Sequence, residues 1–346
     1  MRVGAYQDSD GRRWDAFVRR FDDATFYHQH AWYRVMQATF GHRPHLLCAE
    51  DGDEVQGILP VVEVRAPGLG RKLIATPYQA SVGLPLAEDP AVAEALIRHA
   101  VELARANKCG YVEVRGASGY APLLAAGFKE RHGGTQDSTI PIQQVDRSTI
   151  VRGHRQDINR VERLGIEIKE ARTLWEWRAF YEMFEEAQRG FAAIGLGWAF
   201  FRNLFLDLPH HAKVRLARLD GELIGGSFLL CYHRTIISKQ AVVKPEHART
   251  GLGKGLVWST LNWGKDAGYD FLNLGISLES QAAVKSFKEG FGAVSRSLSS
   301  YVLPLGTEPP SYEDLYEGYG LAKQVWRKMP LPATKLAGAV LTRWFC

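Results

Sequence analysis

Apolar positions along the chain change period in an order that occurs twice. HLLCAEDGDEVQGILPVVEV (45–64) alternates about an acidic-glycine turn, the pattern of a hairpin with one buried face, and VRLARLDGELIGGSFLLCYH (214–233) repeats it. The turns fall at Asp51-Gly52 and Asp220-Gly221. PAVAEALIRHAVELARAN (90–107) switches to helical spacing, and GKGLVWSTLNWGKDAG (253–268) is its counterpart. A short strand follows each helix, within KCGYVEVRGAS (108–118) and DAGYDFLNLGIS (266–277). AAGFKE (125–130) and KEGFGA (288–293) close the two copies.

Separate landmarks thus recur in the same order about 160 residues apart, which points to a duplicated folding unit. Strands first, then helix–strand–helix, predict an α+β fold of two tandem domains, each a mixed, mostly antiparallel sheet flanked by helices. The expected boundaries are 1–145 and 146–308, followed by a basic amphipathic helical tail over 309–346. VDRSTIVRGHRQDINRVERLGIEIKEA (145–171) is the polar, basic crossover between the copies.

Composition narrows the function classes only modestly. A hydrophobic content of 46% with 23% charged residues is that of a globular protein, and a net charge of +5 is far from a histone-like excess. No finger or recognition-helix pattern points to DNA, and the dispersed histidines offer no zinc spacing. Cys48, Cys109, Cys231 and Cys346 form no CxxC pair and suit isolated thiols in a reducing compartment. MRVGAYQDSDGRRWDAF lacks the apolar core of a secretory signal, so a cytoplasmic location is expected. The end, VWRKMPLPATKLAGAVLTRWFC, mixes Trp326, Met329, Leu336, Val340, Leu341, Trp344 and Phe345 with Lys323, Arg327, Lys328, Lys335 and Arg343. Such a segment either docks on the protein's own body or makes peripheral contact with the inner membrane face.

The second copy also carries ARTGLGKGLVWST (248–260), a glycine-rich loop between the strand TIISKQAVV (235–243) and a helix. Backbone N–H groups at such a helix start suit an anion, with Arg249, Gly251, Gly253, Lys254 and Gly255 as the binding candidates. The same letters also suit a helix cap that holds no ligand.

With its flanking strand and helix, the loop resembles the acyl-CoA site of GNAT acyltransferases, although Arg249 is one position off the usual arginine. Two GNAT-like domains in tandem resemble the Fem-type (FemAB-like) transferases and their acetyltransferase-like relatives. The likeness covers about residues 20–305 and is carried by HQHAWYRVMQATFGHRP, GHRQDINRVERLG, FYEMFEEAQRG with WAFFRNL, and SFKEGFGA. It implies an amide-forming acyltransferase working by direct attack in the interdomain cleft. Fem-type members use aminoacyl-tRNA and GNAT relatives use acyl-CoA, so either is the implied co-substrate, with no tightly bound cofactor and no metal. The acceptor is a primary amine of a small molecule, a peptide or a cell-envelope precursor. An acyl-CoA-dependent N-acetyltransferase alone, and a non-catalytic envelope polysaccharide assembly protein, are the alternatives.

By resemblance, Phe287 and Lys288 line the site, where the Lys288 cation suits either a developing oxyanion or an acceptor phosphate. Tyr232 or His233 is placed to relay a proton, and alternation allows only one of the two to point inward. Lys239, Gln240 and Asn273 flank the acyl group on neighbouring strands, whereas Trp32 and Arg34 belong to the acceptor-side helix. One departure stands out. The residues before Phe200-Phe201 are Gly195, Leu196, Gly197 and Trp198, so the arginine that precedes this pair in cell-wall members is missing.

Overall fold

The computed structural model describes residues 1–7, 11–66, 70–78, 82–309 and 320–344; Phe345 and Cys346 lie outside them. The chain divides into two compact units, Met1–Thr135 with Ser297–Gly320 and Val340–Cys346, and Gln136–Arg296 with Leu321–Ala339.

The first unit opens with β1 (Arg2–Ala5), α1 (Arg12–Val18) and α2 (His30–Phe40), followed by β2 (Arg43–Asp51), β3 (Glu54–Ala66) and β4 (Gly70–Ala75). β1 to β4 pair antiparallel in sequence order. After the short β5 (Leu86–Ala87), the chain crosses over through α3 (Pro90–Ala106) to β6 (Tyr111–Gly116), which lies parallel to β4, and then enters α4 (Ala121–Ala125). Asp89 starts α3 by accepting the Ala91 N–H at 2.8 Å, with Pro90 in the first turn. Leu96, Ile97, Ala100 and Ala104 form its buried stripe and join Leu47, Leu59, Val61 and Val112 of the sheet.

β7 (Lys129–Pro141) begins in the first unit and ends in the second. The second unit continues through α5 (Arg152–Arg163), β8 (Glu167–Glu170), α6 (Leu174–Phe191), α7 (Trp198–Asp207), β9 (Ala212–Leu219), β10 (Glu222–Tyr232) and β11 (Thr235–Val243). α8 (Leu252–Asp266) is the crossover helix to β12 (Phe271–Leu278), and α9 (Ala282–Glu289) leads to β13 (Val294–Pro304). β8 to β11 are antiparallel neighbours, and β12 joins β11 in parallel. The β9–β10 turn places Asp220 and Gly221 at φ 50° and 82°, the two positive values that a tight hairpin needs. Thr173 and Glu176 form a reciprocal capping box at the start of α6. Trp177, Phe180, Phe184, Phe200, Phe201 and Phe228 build the aromatic core beneath it.

The end of β13 returns to the first unit, where Ser299–Pro304 pairs antiparallel with β6. α10 (Gly320–Lys328) and α11 (Leu331–Leu341) follow. The duplication is visible in the strands themselves. β4–β6 and β11–β12 are both parallel pairs bridged by a crossover helix, and each is preceded by an antiparallel hairpin.

Candidate active site

β11 and β12 pair only over Thr235↔Phe271, Ile236↔Leu272 and Ile237↔Asn273, although both strands run on, to Val243 and Leu278. Pairing therefore stops midway, and a wedge opens at the C-terminal ends of two parallel strands, where open sheets bind ligands. A bulge widens it. Phe228 opposes Gln240 and Leu229 opposes Ser238, which leaves Lys239 as the extra residue.

The first unit repeats the short pairing, from Lys72↔Tyr111 to Ile74↔Glu113, but its own chain occupies the space beyond. Gly83 donates its N–H to the Arg115 carbonyl at 2.9 Å. Leu84 packs so closely on Gly116 that an added Cβ would stand 2.5 Å from its side chain.

Polar groups gather in the second wedge. Lys288, in the last turn of α9, is 4% exposed. Its ammonium donates to the Gly275 carbonyl at 2.6 Å and the Ser277 hydroxyl at 3.2 Å. Gly275 presents that carbonyl from a left-handed turn (φ 72°), and Asn273 Oδ1 fixes the turn by accepting the Gly275 N–H at 2.7 Å. Asn273 Nδ2 donates to Asp137 Oδ2 at 2.7 Å and Thr139 Oγ1 at 3.1 Å. Burial lowers the Lys288 pKa, partly offset by the Asp137 carboxylate. The same two causes act on Lys239, which falls to about 8.

Three of the residues singled out in the sequence, Lys239, Asn273 and Lys288, thus share one cluster. Gln240 follows the bulge and is half-buried. Phe287 turns away from the cluster, with its ring 5.6 Å from those of His154 and Phe291. Tyr232 and His233 are not brought to the cluster. They sit at the β10–β11 turn, before the start of β11, whereas Lys239 lies in the middle of that strand; Tyr232 is buried and His233 exposed at φ 48°. In the first unit, Trp32 is 1% exposed and packs edge-on against Phe26 and Tyr27, whereas Arg34 is exposed.

The glycine-rich loop serves packing at two of its three glycines. Gly251 caps α8 at φ 84°, and an added Cβ there would lie 2.6 Å from Asp157 Cβ on α5. Gly255 lets Val161 approach, at 2.9 Å from an added Cβ, while Gly253 faces open space. Lys254 is paired with Asp157, and the Arg249 carbonyl accepts from Arg160 at 2.9 Å. We expect Gly251→Ala to lower stability by about 2 kcal/mol, from positive φ and overpacking together, and Gly253→Ala to be near neutral. Urea unfolding of the two variants checks this.

Sequence reasoning passed over Asp137 and Asp157. Asp137 lies in TQDSTIPI, which reads as the closing strand of the first copy, yet residues 136–141 belong to the second unit. Asp157 sits one helical turn before the buried Val161, so its position facing α8 was available from periodicity.

Residues 149–288 match the family described as an acetyltransferase (GNAT) domain. FemX has the same fold over 94% of this chain and all of its own, at 13% identity and a TM-score of 0.72. L-PGS from Bacillus licheniformis matches over 100% of this chain and 99% of its own (13% identity, TM-score 0.59). A tandem GNAT protein from the clavulanic acid biosynthesis pathway matches over 89% and 99% (14% identity, TM-score 0.54). No curated protein matches this chain. Residues 149–288 thus carry an acetyltransferase (GNAT)-type domain, and the chain shares its fold with FemX and with a tandem GNAT protein.

Proposed function

We propose that this chain forms an amide by direct attack of a primary amine on the ester carbonyl of an aminoacyl-tRNA, with the transfer site in the wedge between β11 and β12. The acceptor in this reading is a small molecule, a peptide or a cell-envelope precursor that carries the amine. The observation that carries the proposal is the buried Lys288 ammonium, braced on Gly275 and Ser277 at the open end of the paired strands. A preorganised cation at that place stabilises the tetrahedral oxyanion without reorganising during reaction.

Lys239 supplies the proton transfer. Its neutral form accepts the proton of the attacking amine as the C–N bond forms. The resulting ammonium returns that proton to the ribose oxygen as the ester C–O bond breaks. Asp137 lies where it attracts both lysines and keeps Lys239 from falling further below its ordinary value. Because Lys239 titrates near 8, kcat/KM should rise about tenfold per pH unit below about pH 8 and level off above it. Lys239→Arg, which stays charged, should lower the whole profile and remove the slope. Initial rates across about pH 6 to 9 check both.

The choice of donor draws on the loop. A coenzyme A diphosphate needs converging N–H groups and a free cation, whereas Asp157 here abuts Gly251 and neutralises Lys254. The likeness to FemX points the same way. Acyl-CoA is the second reading, favoured by the open space at Gly253 and by the acetyltransferase family match. Filter retention of charged tRNA with no thermal shift from acetyl-CoA is the expected result. A thermal shift with acetyl-CoA that Gly253→Leu abolishes, together with no retention of tRNA, would reverse the assignment.

A further inference from the structure

α11 is built inside out. Its buried positions are the small Thr334 and Gly338, whereas Leu336 is 73% exposed and Val340, one turn on, is 42% exposed. A helix that docks only on its own protein buries its large apolar side chains and exposes its small polar ones. The inversion has a local cause. Gly338 meets the backbone of Gly195, at 3.5 Å from an added Cβ, and Ala339 lies beside Gly197, so only a small-residue ridge fits there. The ion pair between Lys335 and Glu182 holds this face down.

Charge marks what the outer face meets. Residues 320–346 contain Lys323, Arg327, Lys328, Lys335 and Arg343 and no aspartate or glutamate. Arg327 and Lys328 are exposed at the end of α10, Arg343 is exposed just beyond α11, and Val325 is 62% exposed on α10. Apolar side chains framed by cations without a single acid complement an anionic bilayer surface. No described helix is long and apolar enough to cross a membrane. We infer that the outer face of α10 and α11 is a docking surface for an anionic lipid bilayer, with Leu336 entering the acyl boundary and Arg327 and Lys328 meeting the headgroups.

Co-sedimentation of the full chain with phosphatidylcholine vesicles, with and without about 30 mol % phosphatidylglycerol, tests this. Binding to the anionic vesicles only is expected, reduced at least about tenfold by Leu336→Asp and, separately, by Arg327→Glu with Lys328→Glu. These side chains are exposed, so the variants should melt with the wild type, and melting curves confirm that a lost signal is not lost folding. No binding to anionic vesicles, equal binding to neutral ones, or binding indifferent to Leu336→Asp would overturn the inference. So would a vesicle-free dimer, seen by analytical ultracentrifugation, that Leu336→Asp dissolves, since the face would then meet a second copy of the chain.

Discussion

Replacing Lys288 by methionine should lower turnover by about 100- to 1000-fold, the range seen when one preorganised donor to an oxyanion is lost. The loss should appear in kcat and hardly in KM, because the cation acts where charge develops and not on the resting ester. Methionine matches the lysine stem in length and adds no buried charge, so folding should survive. The Gly275 carbonyl and Ser277 hydroxyl lose a donor at 2.6 and 3.2 Å, while the desolvation cost of an ammonium that is 4% exposed disappears. Ser277→Ala, which leaves the Gly275 contact in place, should reduce kcat by only about tenfold. Single-turnover rates beside melting curves separate the chemical effect from the structural one. A Lys288→Met enzyme with wild-type kcat would remove this residue from the reaction.

Glu185 on α6 should contribute a stability that falls as pH rises from about 4.5 to about 7. The effect is read as the difference between wild type and Glu185→Gln, because the buried His42, lowered to about 4, acts in the opposite sense over much of this range. The Glu185 carboxyl is 3% exposed, and burial pushes its pKa up to about 7 against a hydrogen bond from the Gly197 N–H. Its Oε1 has no hydrogen-bond partner among the described residues, and the backbone of Gly195 presses against it. Below its unfolded value the group is protonated in both states and contributes no penalty. Between the two values the folded chain holds a proton that the unfolded chain releases, so each pH unit lowers unfolding free energy by about 1.4 kcal/mol. The full cost, about 3 kcal/mol, is reached above pH 7 and stays constant there. Glu185→Gln should remove this falling contribution and raise stability at pH 8 by up to about 3 kcal/mol relative to the wild type. Urea midpoints from about pH 4 to pH 8 in both proteins would show it. A variant with the same pH slope as the wild type would exclude Glu185 as the titrating group.

Much of the architecture was legible because hydrophobic period reports local geometry directly. The crossover helix expected at 90–107 is α3 at Pro90–Ala106, and TIISKQAVV is β11 to the residue. The Asp220-Gly221 turn follows from the residue types, since both positions need positive φ. What period cannot show is where pairing stops. Nothing in TIISKQAVV distinguishes Ile237, the last residue paired to β12, from Lys239, the bulge residue. Where the β11–β12 pairing ends and where the bulge falls both depend on packing across three strands. The glycine loop was ambiguous for the same kind of reason. Its letters suit an anion or a close helix crossing, and only the position of Asp157 and Val161 on α5 distinguishes them. Lys288 was found because a recognisable pair of residues marks it, whereas Asp137 carries no such mark and sits in a strand whose period assigns it to the first copy.

The central claim is that carbonyl and amine meet in the second unit's wedge, beside Lys239, Asn273 and Lys288. Hydrogen exchange with a non-hydrolysable amide analogue of aminoacyl-adenosine tests it most directly. Slowed exchange confined to residues 237–241, 273–278 and 285–289, and lost in Lys288→Met, is the predicted result. Slowed exchange at β4 and β6 of the first unit, with β11 and β12 unchanged, would contradict it.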